Sequence, residues 1–189
     1  EEVGDRPIPR EGLLVHLPLD EGSKTSATNV ASAAGGDLKI EGNARSLEGK
    51  FAQAVRFYGN TFITVPDVGD FDSSDAFSYG AGIKPTDNAA MAAIARMDDS
   101  TGNRGYDLYV SDGRIYAHLI HNWPDNAIRI NTTEQFPVQK EWHHVLVTYD
   151  GSAQASGVRI YVNGQLCDTD VTHDTLSETI HTDTPLRVG

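Results

Sequence analysis

The stretch from Trp142 to Gly164 constrains the fold more than any other part of the chain. Val145, Val147 and Tyr149 alternate with His144, Leu146 and Thr148, and Val158, Ile160 and Val162 repeat the pattern. A two-residue period is the mark of a strand with one buried face. Gly151 to Gly157 holds no large apolar residue and reads as an exposed loop between the two runs. Asn163-Gly164 then supplies the dipeptide favoured where both central turn residues take positive φ, so the chain should reverse and return through Gln165-Leu166-Cys167.

The same alternation recurs along the chain. Leu13, Val15, Leu17 and Leu19 predict a first strand, and Glu21 to Gly36, rich in Ser, Thr, Ala and Gly, predicts a loop. Asp37 to Ile40 is a short strand candidate. Ala54 to Tyr58 and Phe62 to Val65 predict a hairpin around Gly59-Asn60. A strand is expected from Phe77, and others over Tyr106 to Val110, Ile115 to Leu119, Ile128 to Ile130 and Leu186 to Val188. Asp168 to Thr184 is polar and reads as irregular. Ala89 to Met97 is the one segment whose alanines and methionines favour helix. It is too short to hold alone as a helix, and its neighbours are strands, so strand is expected. Short strands without long helical patterns mean an antiparallel, all-β, two-sheet sandwich. Residues 1–12 read as a linker, and 13–189 as one domain.

Several segments resemble, in order, the LamG-like jelly-roll domains of the concanavalin A-like lectin/glucanase superfamily. Trp-His-His-Val-x-Val-Thr-Tyr-Asp-Gly (142–151) followed by Val-x-Ile-Tyr-Val-Asn-Gly (158–164) carries the resemblance. Leu14 to Gly22, Ala54 to Pro66 and Phe77 to Pro85 agree with it, although Gly82 stands where such domains usually place a tryptophan. These domains usually close with one further strand after a Leu-Arg-Val-Gly type segment, so the resemblance implies either that this strand lies beyond Gly189 or that another segment fills its edge. The likeness to modules embedded in large exported bacterial proteins implies an extracellular, periplasmic or cell-surface setting, with other domains of the same polypeptide as partners. It also implies that His144 is a packed strand residue.

Charge narrows the function. Twenty-seven acidic against 15 basic residues give a formal net charge of −12, a field that repels nucleic-acid phosphates. It is compatible with neutral sugars and divalent cations. No apolar run approaches the ~20 residues of a membrane-spanning helix, so membrane insertion is not expected. Cys167 is the single cysteine and reads as a small strand residue.

Glycoside hydrolysis needs two carboxylates ~5 Å apart, which jelly-roll glucanases carry as Glu-x-Asp-x-x-Glu. That motif is missing, and Asp168-Thr169-Asp170 lacks its glutamates, so no catalytic residue and no enzyme is expected. His143 and His144 are adjacent and point to opposite faces, so they cannot share a metal. Calcium, which takes six to eight oxygens, finds candidate ligands in Asp98, Asp99 and Asn103 of one loop, or in Asp20 and Glu21 after the first strand. Asn131-Thr132-Thr133 fits a glycosylation triplet.

Sugar binding needs an aromatic face beside amides and carboxylates. His121, Asn122, Trp123, Asp125 and Asn126 supply that set in one predicted loop, where binding residues concentrate. The expected function is therefore a non-catalytic carbohydrate- or ligand-binding module. A structural or protein-interaction module is the alternative, and a glycoside hydrolase the remote one.

Overall fold

The structure, a computed structural model, describes residues 11–31, 36–86, 89–136 and 141–189. The linker expected over residues 1–12 lies outside these, save Glu11 and Gly12. The chain divides into two compact units with the boundary between Val68 and Gly69.

In the first unit β1 (Ser26–Asn29) pairs antiparallel with β2 (Gly36–Glu41). A separate hairpin joins β3 (Arg45–Glu48) to β4 (Gln53–Arg56), and β5 (Phe62–Val65) pairs with β2. Three expectations change here. Leu13 to Leu19 is not a strand. It runs beside β1 through Asn29, whose Oδ1 accepts from His16 N at 3.0 Å, while Val30 N donates to His16 O at 2.9 Å. The alternation was real, but Leu19 takes a positive φ of 57° and no partner strand builds a ladder on the segment among the described residues. The region expected as loop contains β1. Finally, the two segments flanking Gly59-Asn60 do not pair with each other. Gly59 turns the chain at φ 48° and sends β5 to β2.

The second unit is the β-sandwich. Its larger layer places β15 (Leu186–Val188), β7 (Met91–Asp98), β8 (Arg104–Ser111), β9 (Arg114–Asn122), β10 (Asn126–Thr132) and β14 (Thr169–Asp174) side by side in that order. The facing sheet runs β13 (Gln165–Leu166), β12 (Val158–Val162), β11 (His143–Tyr149), β6 (Phe77–Ile83). Among the described residues these strands pair antiparallel. β7 is a strand, so burial between neighbours overrides its helical propensity. Asn163 and Gly164 turn at φ 51° and 80°, as their dipeptide predicts.

β14 replaces the irregular stretch expected after Cys167. It is an edge strand with largely exposed side chains, so it has no apolar alternation to betray it. Beyond it, residues 175–182 are pinned across the strand ends. Leu176 and Ile180 are buried, Ser177 N donates to Asn126 Oδ1 at 2.9 Å, and Ile180 N to Asp72 Oδ1 at 3.1 Å. The Arg96 guanidinium reaches Thr182 O at 2.8 Å and Asp70 at 3.1 Å.

Between the layers lies an aromatic core. Phe71 stacks on Phe77 with centroids 4.3 Å apart, and Tyr106 lies 4.8 Å from Phe77 and 5.1 Å from Tyr79. Two of its hydroxyls reach carbonyls: Tyr106 donates to Gly69 O at 2.8 Å and Tyr79 to Asp107 O at 2.9 Å. On β11 the inward set is His143, Val145, Val147 and Tyr149, which leaves His144 exposed. The resemblance had assigned the packed role to His144. The phase of the strand gives it to His143, whose ring lies 5.8 Å from that of Phe136.

Candidate functional site

The strands of the larger layer bury one set of side chains and turn the other outward. On β9, Ile115, Ala117 and Leu119 face the core, so Tyr116 and His118 face out. On β8, Tyr106, Leu108 and Val110 face in, leaving Asp107 and Tyr109 on the outer side. Register places these residues together: Tyr109 opposes Tyr116, Asp107 opposes His118, His118 opposes Arg129 on β10, and Arg129 opposes His173 on β14.

The result is a continuous aromatic strip across the strands. Tyr109 meets Tyr116 edge-on at 6.0 Å, and the Tyr116 and His118 rings lie nearly parallel at 6.2 Å. His118 meets Trp123 edge-on at 5.9 Å, and Trp123 lies 4.6 Å from His173. All five rings are half-buried, so each keeps surface for a ligand.

Two charged groups are set into the strip. Asp107 is only 5% exposed, and a carboxylate so buried needs a partner. His118 Nδ1–H supplies it, donating to Asp107 Oδ1 at 2.7 Å. That bond fixes the imidazole's orientation and leaves Nε2 to accept when the ring is neutral or to donate when it is protonated. The Arg129 guanidinium lies 4.9 Å from the Tyr116 ring centre and 5.9 Å from that of Trp123. Its Nε is buried and has no hydrogen-bond partner among the described residues. Stacking on ring faces offsets part of the lost solvation, roughly 0.5–2 kcal/mol per contact.

The residues expected in one ligand loop are dispersed. Trp123, after which the peptide to Pro124 is cis, leaves the loop and lies on the sheet face. His121 turns the other way, with Nδ1 at 2.8 Å from Thr179 O and Nε2 at 3.4 Å from Glu178. Asn126 holds Ser177 and Glu178, and Asn122 lies against Gly102. Asp125 is exposed. Of the five, only Trp123 joins the strip.

Asp98, Asp99 and Asn103 share the β7–β8 connection. Asp98 caps its 3-10 turn, accepting from Ser100 N at 2.9 Å and Ser100 Oγ at 2.6 Å. The bonds from Ser100 hold its carboxyl below the usual carboxylate range. Asp99 is exposed, and Asn103 takes the left-handed turn at φ 60°. Among the described residues no three His, Cys, Asp or Glu side chains converge to hold a metal, and this loop spends its best oxygen on its own backbone. Asn131 of the glycosylation triplet is buried in β10 and donates to Thr132 O at 3.1 Å, so it is closed to modification.

The outer-face residues Asp107, Tyr109, Tyr116, His118, Arg129 and His173 had not been singled out as a set. One signal does point to the rings: two tyrosines and a histidine occupy the outward positions of β8 and β9, where solvated polar residues are the rule for a free sheet face.

The family model described as the concanavalin A-like lectin/glucanases superfamily matches residues 57–189. The chain belongs to this superfamily. Solved structures agree on the fold. The binding domain of botulinum neurotoxin DC in complex with rat synaptotagmin II superposes with a TM-score of 0.61 at 13% identity, over 95% of this chain and 44% of that one. The botulinum neurotoxin serotype G binding domain gives 0.58 at 14% identity, over 92% and 45%. Domain 4 of AbnA, an extracellular arabinanase of Geobacillus stearothermophilus in complex with arabinotriose, gives 0.55 at 15% identity, over 94% and 82%. The chain thus spans less than half the length of the toxin domains it matches. No curated protein matches its sequence.

Proposed function

We propose that this chain is a non-catalytic carbohydrate-binding module of a larger exported protein, and that its ligand lies along the strip from Tyr109 to His173. One observation carries the reading: five half-buried rings run unbroken across the strands of the larger layer, with Asp107 and Arg129 set among them. Rings offer faces to sugar C–H groups, and the charged groups offer a hydroxyl both donors and acceptors. Arabinotriose bound to the related arabinanase domain supports the choice of ligand class.

On the outer strands, Asp107 and Asp170 stand too far apart to act as a glycosidase pair. Asp107 on β8 and Asp170 on β14 are separated by three strand spacings, roughly 14 Å at ~4.8 Å each. Glycosidase pairs stand ~5 to ~9.5 Å apart.

A glycan-array screen of the purified protein, with calcium and with chelator, tests the proposal. Selective binding should appear in both conditions and fall at least about tenfold in Trp123→Ala, equivalent to ~1.4 kcal/mol. Binding that Trp123→Ala leaves intact would move the site off this face. Binding lost only with chelator would place it at the acidic loop of Asp98.

A further inference from the structure

The first unit carries an unneutralised pair of cations. Arg45 and Arg56 stand directly opposite each other in the β3–β4 ladder. Like charges in that position destabilise a hairpin. Both guanidinium groups lie over one ring, with carbons 5.7 Å (Arg45) and 4.8 Å (Arg56) from the centre of Tyr58. Neither has a carboxylate or hydrogen-bond partner among the described residues, in a chain with 27 acidic side chains to choose from. Glu48, the hairpin's own acid, is three residues from Arg45 and so projects to the opposite face.

A tyrosine face can steady guanidinium groups, but it cannot cancel their mutual repulsion. An anion with two or more oxygens can, because a guanidinium fork matches carboxylate, sulfate and phosphate alike. We infer that Arg45, Arg56 and Tyr58 form an oxyanion-binding site, suited to a carboxylate or sulfate group whether borne by an acidic sugar or free. The site rests on residues of the first unit alone and is independent of the aromatic strip. Arg45 is exposed and Arg56 and Tyr58 are half-buried, so an anion reaches the pair from solvent. Arginine at both positions follows from the geometry, since two forks can hold one anion from two sides where two ammonium groups would act only as point charges.

The test is a titration of the whole protein followed through the arginine Nε–Hε signals by nitrogen–proton correlation NMR. Sodium sulfate, galacturonate and neutral galactose are added separately at constant ionic strength. Saturable shifts of the Arg45 and Arg56 signals with sulfate, galacturonate or both are expected, with none from galactose. Whichever anion saturates names the source. In Arg45→Gln the affinity should fall at least tenfold, and Arg56→Lys, which keeps the charge, should also weaken it several-fold. Arg45 is exposed, so its replacement leaves the fold intact, and unchanged amide signals elsewhere verify this. Shifts that rise linearly without saturating, that galactose reproduces, or that survive Arg45→Gln would overturn the assignment.

Discussion

At the scale of single residues, the aromatic core of the sandwich holds tyrosine hydroxyls whose protons burial retains. Burial raises the phenol of Tyr79 well above its ordinary value, helped by the Asp107 and Tyr106 charges, and burial likewise raises Tyr106 and Tyr149. The folded state therefore holds these protons more tightly than the unfolded one. Their contribution is fully present below the unfolded value near ~10, and is lost as pH rises above it toward the folded values. An absorbance titration of tyrosinate at about pH 11, read before unfolding, should give the same amplitude in wild type, Tyr79→Phe and Tyr106→Phe. A smaller amplitude in either variant would mean that the phenol ionises inside the folded core. Replacing Tyr106 also strands Gly69 O, so Tyr106→Phe should cost about 1 kcal/mol in urea unfolding. At this scale the sequence was informative about type and poor about direction. Trp123 was legible as a residue outside the core, because a tryptophan beside proline and polar residues has no evident place in one, and it does lie on the outer face beside His118 and His173. Its companions were not, because a loop assignment groups residues by sequence whereas the strip groups them by register across β8, β9, β10 and β14.

At the scale of elements, the strands that were legible are those that bury one face. β8, β9, β11 and β12 carry alternating apolar residues and lie where the alternation predicts. β14 was hidden because an edge strand is selected by backbone pairing with β10 rather than by burial. Leu13 to Leu19 shows the reverse case, a strand pattern without a ladder: residues 13–19 are all half-buried, so the alternation in sequence is not an alternation in burial. Close backbone approach is equally silent in the pattern, and glycine is its only trace. Gly105 sits at φ 133°, and a Cβ there would come within 1.8 Å of Arg96 O on β7. Gly82 on β6 meets nothing within 4 Å. Gly105→Ala should therefore push β8 from β7 and cost more than about 3 kcal/mol. Gly82→Ala, in the same denaturation experiment, should be neutral or stabilising by roughly 0.5 kcal/mol. Equal effects at the two positions would mean that the β7–β8 approach is not as close as described.

At the scale of the molecule, charge separates the two proposed sites. A neutral sugar on the aromatic strip gains from ring contact and hydrogen bonds, neither of which depends on ionic strength, so its affinity should stay flat from low to high salt. The oxyanion site answers to two opposed fields. The net charge of −12 repels an approaching anion, each distant charge acting weakly through water. Arg45 and Arg56 attract it at contact distance. Screening acts on the distant term first, because the Debye length shrinks from ~30 Å at ~0.01 M salt to ~10 Å at ~0.1 M. Galacturonate affinity should therefore rise over that interval, then fall towards ~1 M, where the screening length of ~3 Å reaches the contact pair itself and added anions compete. Arg45→Gln should abolish the falling limb. A monotonic decline from the lowest salt would show that the arginine pair alone governs anion binding, with the field of the remaining acidic surface too diffuse to oppose it.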